Sequence, residues 1–171
     1  MSNGDLVMTN RNIIITGFMG TGKSTIGALV ASRLNHIFVD MDDEIVRRVG
    51  KSIPEIFAHD GEAYFRRLES VLLAELVERV GLVISTGGGT LVTEKNRQLA
   101  MRKAVVICLV AAPDVIADRL DGDTVGRPLA PNWRDLLTIR SAAYAVLPNH
   151  VDTTGKTPDE VVEEVVSLCT S

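Results

Sequence analysis

The segment GFMGTGKST, residues 17–25, constrains this chain more than any other part of its sequence. It matches the pattern G-x-x-x-x-G-K-[S/T] at Gly17, Gly22, Lys23 and Ser24, directly after the apolar run NIIIT. Glycines in this pattern let backbone N–H groups surround a phosphate, and the following helix adds the positive end of its dipole. Because a strand-like run precedes the segment and a helical pattern follows it, we expect a phosphate-binding loop rather than a simple turn.

Side-chain chemistry assigns roles within this loop. Lys23 is expected to reach the β- and γ-phosphates, and the Ser24 hydroxyl is expected to bind Mg²⁺. The residues expected to hold the nucleotide are Gly20, Thr21, Gly22, Lys23, Ser24 and Thr25. Switch GTPases, ATPases and kinases all use such a loop, so the motif predicts triphosphate binding without deciding the reaction.

Short apolar runs alternate with helical patterns along the chain. The runs interpreted as buried strands are 12–16, 36–40, 82–86, 104–110 and 150–154. Most are continuously apolar, which is typical of parallel strands covered on both faces. The helical patterns are 24–34, 62–80, 114–120, 133–147 and a last helix that begins at the capping box TPDE, with Thr157 as N-cap. The alternation predicts a single α/β domain over residues 1–171 with a parallel sheet.

Three segments stand apart from this alternation. Residues 40–69, between the second strand and the long helix, are expected to bind the substrate. Residues 119–131 contain glycines, charges and prolines, which favours a mobile lid over the site. Residues 1–10 lack the basic and apolar regions of a signal peptide, and we expect a flexible tail there.

Composition excludes several classes of function. The formal net charge is −4 and only 4% of residues are aromatic, so we expect neither a nucleic-acid binder nor a protein of anionic membrane surfaces. No apolar run approaches the roughly 18 residues of a membrane span. The two cysteines, Cys108 and Cys169, show no disulfide or metal spacing. We therefore expect a cytoplasmic protein, a monomer that acts on a small molecule.

Residues that could bind the metal and the molecule that receives the phosphate follow the second and third predicted strands. If FVDMDDEI stays extended, Asp40 and Asp42 lie on one side of the carboxyl end of a strand, where α/β sheets bind ligands. Asp40 would then hold Mg²⁺ through water, and Asp42 would accept a proton from a substrate hydroxyl. The alternative is a helix start with a solvated acidic first turn, which we expect for Asp43 and Glu44. The glycine cluster 87–89 would let a ligand approach the backbone closely.

Three arginines complete the candidate set. Arg66 lies on the long helix with Glu69 one turn later, Arg127 lies in the lid, and Arg140 lies on the penultimate helix. The planar guanidinium suits carboxylates and phosphates. A small hydroxy acid would use both an arginine for its carboxylate and an aspartate for its hydroxyl.

Taken together, the segments GFMGTGKST, FVDMDDEI, IFAHDGEAYFRRLE, STGGGT, GRPL and RSAAY resemble shikimate kinases, in order and over about residues 11–168. The resemblance implies a nucleoside-monophosphate-kinase-like fold with three α/β/α layers, a five-stranded parallel sheet of order 2-3-1-4-5 and a lid. It also implies transfer of the ATP γ-phosphate to the 3-hydroxyl of shikimate, a step of aromatic amino acid biosynthesis.

The resemblance also implies residue roles. Asp42, Lys23 and Arg127 are expected to be catalytic, and Ser24 and Asp40 to hold the metal. Arg127 is expected to close over the phosphates, while Arg119 flanks the adenine. The residues expected to bind shikimate are Asp42, Phe57, Phe65, Arg66, Gly87, Gly88, Gly89 and Arg140, with Glu69 orienting Arg66.

Two alternatives stay open. Gluconate is also a hydroxy acid, so a gluconate kinase or another small hydroxy-acid kinase of the same fold fits the chemistry, although FRRLE, GGG and GRPL favour shikimate. A catalytically silent nucleotide-binding module would have lost Lys23, Asp42 or Arg127, and all three are present.

Overall fold

The computed structural model describes residues 10–121 and 132–171. Residues 1–9 of the predicted tail and residues 122–131 of the predicted lid, with the predicted catalytic Arg127, lie outside the described residues. No helix within the described ranges has the length and apolar content needed to cross a bilayer.

A five-stranded parallel sheet of order β2-β3-β1-β4-β5 forms the centre of the fold, as predicted. Its strands are β1 (Asn12–Gly17), β2 (Ile37–Asp40), β3 (Leu82–Ser85), β4 (Ala104–Val110) and β5 (Asn149–Asp152). Strand β1 lies in the middle and is buried along its whole length. The phosphate-binding loop therefore begins at the carboxyl end of the central strand.

Helices cover both faces of the sheet, which confirms the three-layer prediction. They are α1 (Lys23–Leu34), α2 (Met41–Val49), α3 (Ile53–His59), α4 (Glu62–Leu76), α5 (Glu94–Lys103), α6 (Pro113–Asp121), α7 (Trp133–Ala145) and α8 (Pro158–Thr170). Alternate residues of β1 enter two separate cores: Ile13 and Ile15 pack with α1 and α8, whereas Ile14 packs with the opposite layer. The capping box at Thr157 begins α8 as predicted.

Helix α4 ends at Leu76, so the predicted extension of this helix to residue 80 is wrong. The buried side chain of Asn12 explains the early end. Its amide donates to the carbonyls of Leu76 (3.4 Å) and Arg79 (2.6 Å), and its Oδ1 accepts from the backbone N–H of Leu82 (3.0 Å). One side chain from β1 thus donates to carbonyls at and after the end of α4 and aligns the start of β3.

Candidate active site

A cavity of about 540 Å³ lies beyond the carboxyl ends of β1, β2 and β3. Among the described residues, it is lined by every predicted site residue except Thr21. The Thr21 side chain is buried and donates to the carbonyl of Phe18 (2.7 Å), so it supports the loop from within. The structure thus brings the predicted nucleotide, metal and substrate residues into one continuous space.

The phosphate-binding loop has the conformation that its glycines permit. Gly20 (φ 79°) and Gly22 (φ 91°) adopt left-handed backbone angles, and Gly22 is the N-cap of α1. Lys23, the first residue of α1, donates from Nζ to the carbonyl of Phe18 (2.9 Å). The amino end of α1 therefore opens toward the cavity next to a lysine, an arrangement that favours an anion.

Arg119 lines the cavity and connects the phosphate loop to the segment after β5. Its Nη1 donates to the carbonyl of Gly20 (2.8 Å) and to the hydroxyl of Thr153 (3.2 Å). These contacts place Arg119 at the end of the cavity that the phosphate loop forms. Its contact with adenine stays a prediction.

The segment FVDMDDEI is extended only as far as Asp40, where β2 ends and α2 begins, so the predicted strand-like alternation of Asp40 and Asp42 is wrong. Asp40 ends β2 and is the N-cap of α2, with Oδ1 accepting from the backbone N–H groups of Asp42 (3.0 Å) and Asp43 (3.3 Å). The cap is favourable because it satisfies N–H groups that a helix leaves free. Asp42 lies in the first turn of α2, and both Asp40 and Asp42 still line the cavity because the turn begins at its edge.

Ser24 and Asp40 are the described residues that suit a magnesium ion. The Ser24 hydroxyl donates to Oδ2 of Asp40 (2.5 Å), directly beside the amino end of α1. One hydroxyl and one carboxylate fit Mg²⁺, which keeps several waters and takes its remaining ligands from substrate phosphates.

Asp42 is the carboxylate best suited to accept a proton. Its Oδ1 is buried and has no hydrogen-bond partner among the described residues. Burial, followed by the negative charges of Asp40 and Glu69, raises the pKa of Asp42 from 3.8 to about 6. A pKa near neutrality suits a proton acceptor, and the free oxygen is available to a substrate hydroxyl.

Arg66 is held in position by carboxylates on its own helix. Its Nη1 donates to Glu69 (2.7 Å) and its Nη2 to Glu62 (3.0 Å). Glu69 is only 1% exposed and also accepts from the hydroxyl of Thr90 (2.6 Å). The predicted contact between Glu69 and Arg66 is confirmed, and Thr90 is a supporting residue that sequence reasoning missed.

Arg140 is a buried cation that the described residues leave without a carboxylate. It is 6% exposed, its guanidinium lies 5.9 Å from the ring centroid of Phe18, and no carboxylate in the described ranges comes within 4.0 Å of it. A buried charge without a counter-ion costs free energy. The cavity beside Arg140 is therefore suited to an anionic group of a ligand.

The three glycines after β3 are needed for close packing against these side chains. A methyl group on Gly87 would lie 2.6 Å from Oε1 of Glu69, and one on Gly89 would lie 2.3 Å from Nη1 of Arg66. Neither glycine has a positive φ, so space rather than backbone freedom requires them. The sequence pattern placed the cluster correctly, but the reason appears only in the packed structure.

Apolar side chains form the remaining wall of the cavity. Phe57 and Phe65 line it with their ring centroids 5.1 Å apart. Sequence reasoning missed four further lining residues: Met19, Ile53, Ser85 and Thr86. Met19 lies within the phosphate loop, and Ser85 and Thr86 come directly before the glycine cluster, so their positions in the sequence were available signals. No such signal marks Ile53.

Comparison with known proteins gives a consistent result. The family model for shikimate kinase matches residues 19–170. The shikimate kinase of Geobacter sulfurreducens is 43% identical over 164 residues, covering 92% of this chain and 90% of its own. The shikimate kinase of Thermus thermophilus is 41% identical, covering 90% of this chain and 87% of its own.

Solved structures agree with this comparison. A shikimate kinase from Acinetobacter baumannii in complex with shikimate matches with a TM-score of 0.86 and 34% identity, over 94% of this chain and 93% of that one. A gluconokinase from Sinorhizobium meliloti matches with a TM-score of 0.55 and 16% identity, which shows a shared fold alone.

Proposed function

The chain belongs to the shikimate kinase family, and from this premise we propose that it transfers the γ-phosphate of ATP to the 3-hydroxyl of shikimate. It is an ATP-dependent small-molecule kinase, and its product would be shikimate 3-phosphate, an intermediate of aromatic amino acid biosynthesis.

One observation carries the choice of substrate. The buried Arg140, the fixed Arg66 and Asp42, whose Oδ1 has no hydrogen-bond partner in the described part of the chain, line a single cavity beside the phosphate loop. Two guanidinium groups suit one carboxylate, and the aspartate suits one hydroxyl. A small hydroxy acid provides both groups at once, whereas a nucleoside or a simple sugar offers no carboxylate to the arginines.

The proposed mechanism uses positioning and charge. Arg66, Arg140 and the backbone of residues 87–89 bind the carboxylate and ring hydroxyls, and Phe57 and Phe65 pack against the ring. Asp42 accepts a hydrogen bond from the reacting hydroxyl and takes its proton as the hydroxyl oxygen bonds to the γ-phosphorus and the bond from that phosphorus to the β,γ-bridging oxygen breaks, which releases ADP. Phosphoryl transfer has a loose transition state, so this alignment contributes more than base strength.

Lys23 and the amino end of α1 would hold the β- and γ-phosphates. Ser24 and Asp40 would hold Mg²⁺, which when bound neutralises charge on the phosphate oxygens. Arg127 would close over the transferring phosphoryl group, and Arg119 would lie beside the adenine. The GRPL motif supports the role of Arg127, and the position of Arg119 at the end of the cavity that the phosphate loop forms supports its own.

A gluconate kinase remains the second candidate, because gluconate also combines a carboxylate with hydroxyls. The likeness to gluconokinase is limited to the fold, while relatives at about 40% identity are shikimate kinases.

We also propose a cytoplasmic monomer, which agrees with two cysteines that are buried and unpaired. Size-exclusion chromatography with light scattering tests the oligomeric state.

A coupled ADP-release assay tests the substrate. Shikimate, gluconate, quinate and nucleoside monophosphates are offered in parallel at equal concentration with ATP and Mg²⁺. We expect shikimate to give a kcat/KM at least a hundredfold above each of the others. A higher kcat/KM for gluconate would make gluconate the substrate in place of shikimate. ADP release at the same rate with and without each acceptor would show an ATPase instead of a kinase.

A further inference from the structure

Tyr144 lies on α7 one turn after Arg140, so both side chains lie on the same face of the helix. Tyr144 is only 6% exposed, and its hydroxyl donates to the carbonyl of Gly88 at 2.5 Å. Gly88 is the middle residue of the glycine cluster that lines the cavity. The mechanism proposed above gives this tyrosine no role.

The Tyr144 hydroxyl also lies against the Arg140 guanidinium. A methyl group on Gly88 would be 3.0 Å from Nη1 of Arg140 and 3.6 Å from the Tyr144 hydroxyl, so the two polar groups flank the same glycine. The Arg140 guanidinium also lies over the ring of Phe18. The hydroxyl is thus a polar support for a guanidinium that has no carboxylate partner among the described residues.

The backbone of Tyr144 is anchored to the sheet. His150 on β5 bonds through Nε2 to the Tyr144 carbonyl (2.8 Å), and the N–H of Leu147 donates to the same oxygen (3.1 Å). These bonds satisfy a carbonyl that the end of α7 leaves free. With its backbone held and its ring buried, Tyr144 has little freedom to place its hydroxyl elsewhere.

We propose that Tyr144 is a positioning residue that holds the Arg140 guanidinium and the Gly88 backbone in the arrangement that binds the substrate carboxylate. This inference rests on the proposed function, because it acts through the carboxylate contact of Arg140. The hydroxyl links two parts of the binding site that are far apart in sequence, residues 87–89 and α7. Without it, Arg140 keeps its charge but loses a fixed direction, and the Gly88 carbonyl loses its partner.

Tyr144→Phe tests the proposal, because it keeps the buried ring and removes only the hydroxyl. We expect the KM for shikimate to rise roughly tenfold, as for the loss of one hydrogen bond that supports a charged group. The KM for ATP should stay within about twofold, because the Tyr144 hydroxyl contacts Gly88 and Arg140, which are expected to bind shikimate. Tyr64→Phe is the matched control: Tyr64 is the only other tyrosine of the chain and does not line the cavity. It should leave both KM values unchanged.

Two further readouts separate positioning from a general structural effect. The carboxamide of shikimate lacks the charge that Arg140 would bind, so Tyr144→Phe should change its KM by less than about twofold. In a double-mutant cycle, Tyr144→Phe should add little to Arg140→Ala, because both remove the same contact. A wild-type KM for shikimate in Tyr144→Phe, or an equal loss with the acid and the amide, would overturn the proposal. If wild-type enzyme does not phosphorylate shikimate at all, the proposed function fails instead.

Discussion

The charge of Asp42 should cost the protein stability while it supports the reaction. Asp42→Asn keeps the shape of the side chain and removes the charge. In the folded protein, burial and the neighbouring charges of Asp40 and Glu69 raise the pKa of Asp42 from 3.8 to about 6. Each unit by which the pKa of the folded state exceeds that of the unfolded state corresponds to about 1.4 kcal/mol. The ionised carboxylate therefore lowers the free energy of unfolding by roughly 3 kcal/mol.

The sign of the pH dependence follows from linkage. Because the folded pKa lies above the unfolded value, the folded state binds more protons between about pH 4 and 6. The destabilisation is therefore fully present above pH 6 and disappears as the pH falls toward 4. Asp42→Asn should raise the free energy of unfolding by up to about 3 kcal/mol at pH 7.5 and by much less at pH 4, while kcat falls roughly a hundredfold or more.

Urea unfolding of the nucleotide-free protein at both pH values measures the effect, with steady-state kinetics on the same samples. Asp43→Asn is the matched control, because Asp43 lies in the same helical turn but is exposed. We expect it to change the free energy of unfolding by about 0.5 kcal/mol or less. An Asp42→Asn variant that is no more stable at pH 7.5 than wild type would refute the argument from burial, and normal turnover would remove Asp42 from the mechanism.

Three further predictions concern substrate binding and phosphoryl transfer. Alanine at Arg66 or Arg140 should raise the KM for shikimate well above tenfold with little change for ATP, and wild type should discriminate against shikimate methyl ester more than either variant does. Equal discrimination by wild type and the variants would show that the arginines bind a group of shikimate other than the carboxylate. Arg127→Ala should lower kcat at least a hundredfold while calorimetry shows shikimate binding within a few-fold of wild type, and Arg127→Lys should recover only part, because a point charge lacks the planar fork. Normal turnover of the alanine variant would end its catalytic role. Gly89→Ala should raise the KM for shikimate at least tenfold by displacing Arg66, since the added methyl would lie 2.3 Å from Nη1; an unchanged KM would show that Arg66 moves without loss.

Local pattern was sufficient for the elements that depend on near neighbours. The phosphate loop follows from its glycines, the start of α8 follows from its capping box, and the parallel sheet follows from apolar runs alternating with helices. The bounds of α4 were not predictable in this way. Its end depends on Asn12, more than sixty residues earlier in the chain, and no local signal reports a partner at that distance.

The acidic segment after β2 shows the same limit within the site. The sequence identified Asp40 and Asp42 as site residues but placed them in an extended strand, because two carboxylates separated by one residue fit both strand alternation and a capped helical turn. In the folded protein the segment forms a helix from Met41, because Asp40 caps α2 and the apolar residues Met41 and Ile45 pack in the core.

The sequence by itself determined which chemical groups this protein has for its reaction: a phosphate loop, two carboxylates, three arginines and a glycine cluster. Residue types and short spacings carry that information, because they depend on covalent order. Only the tertiary structure decided that Arg140 is a buried cation without a carboxylate among the described residues, that burial raises the pKa of Asp42 to about 6, and that Tyr144 joins α7 to Gly88. These properties come from burial and from contacts between segments distant in the chain.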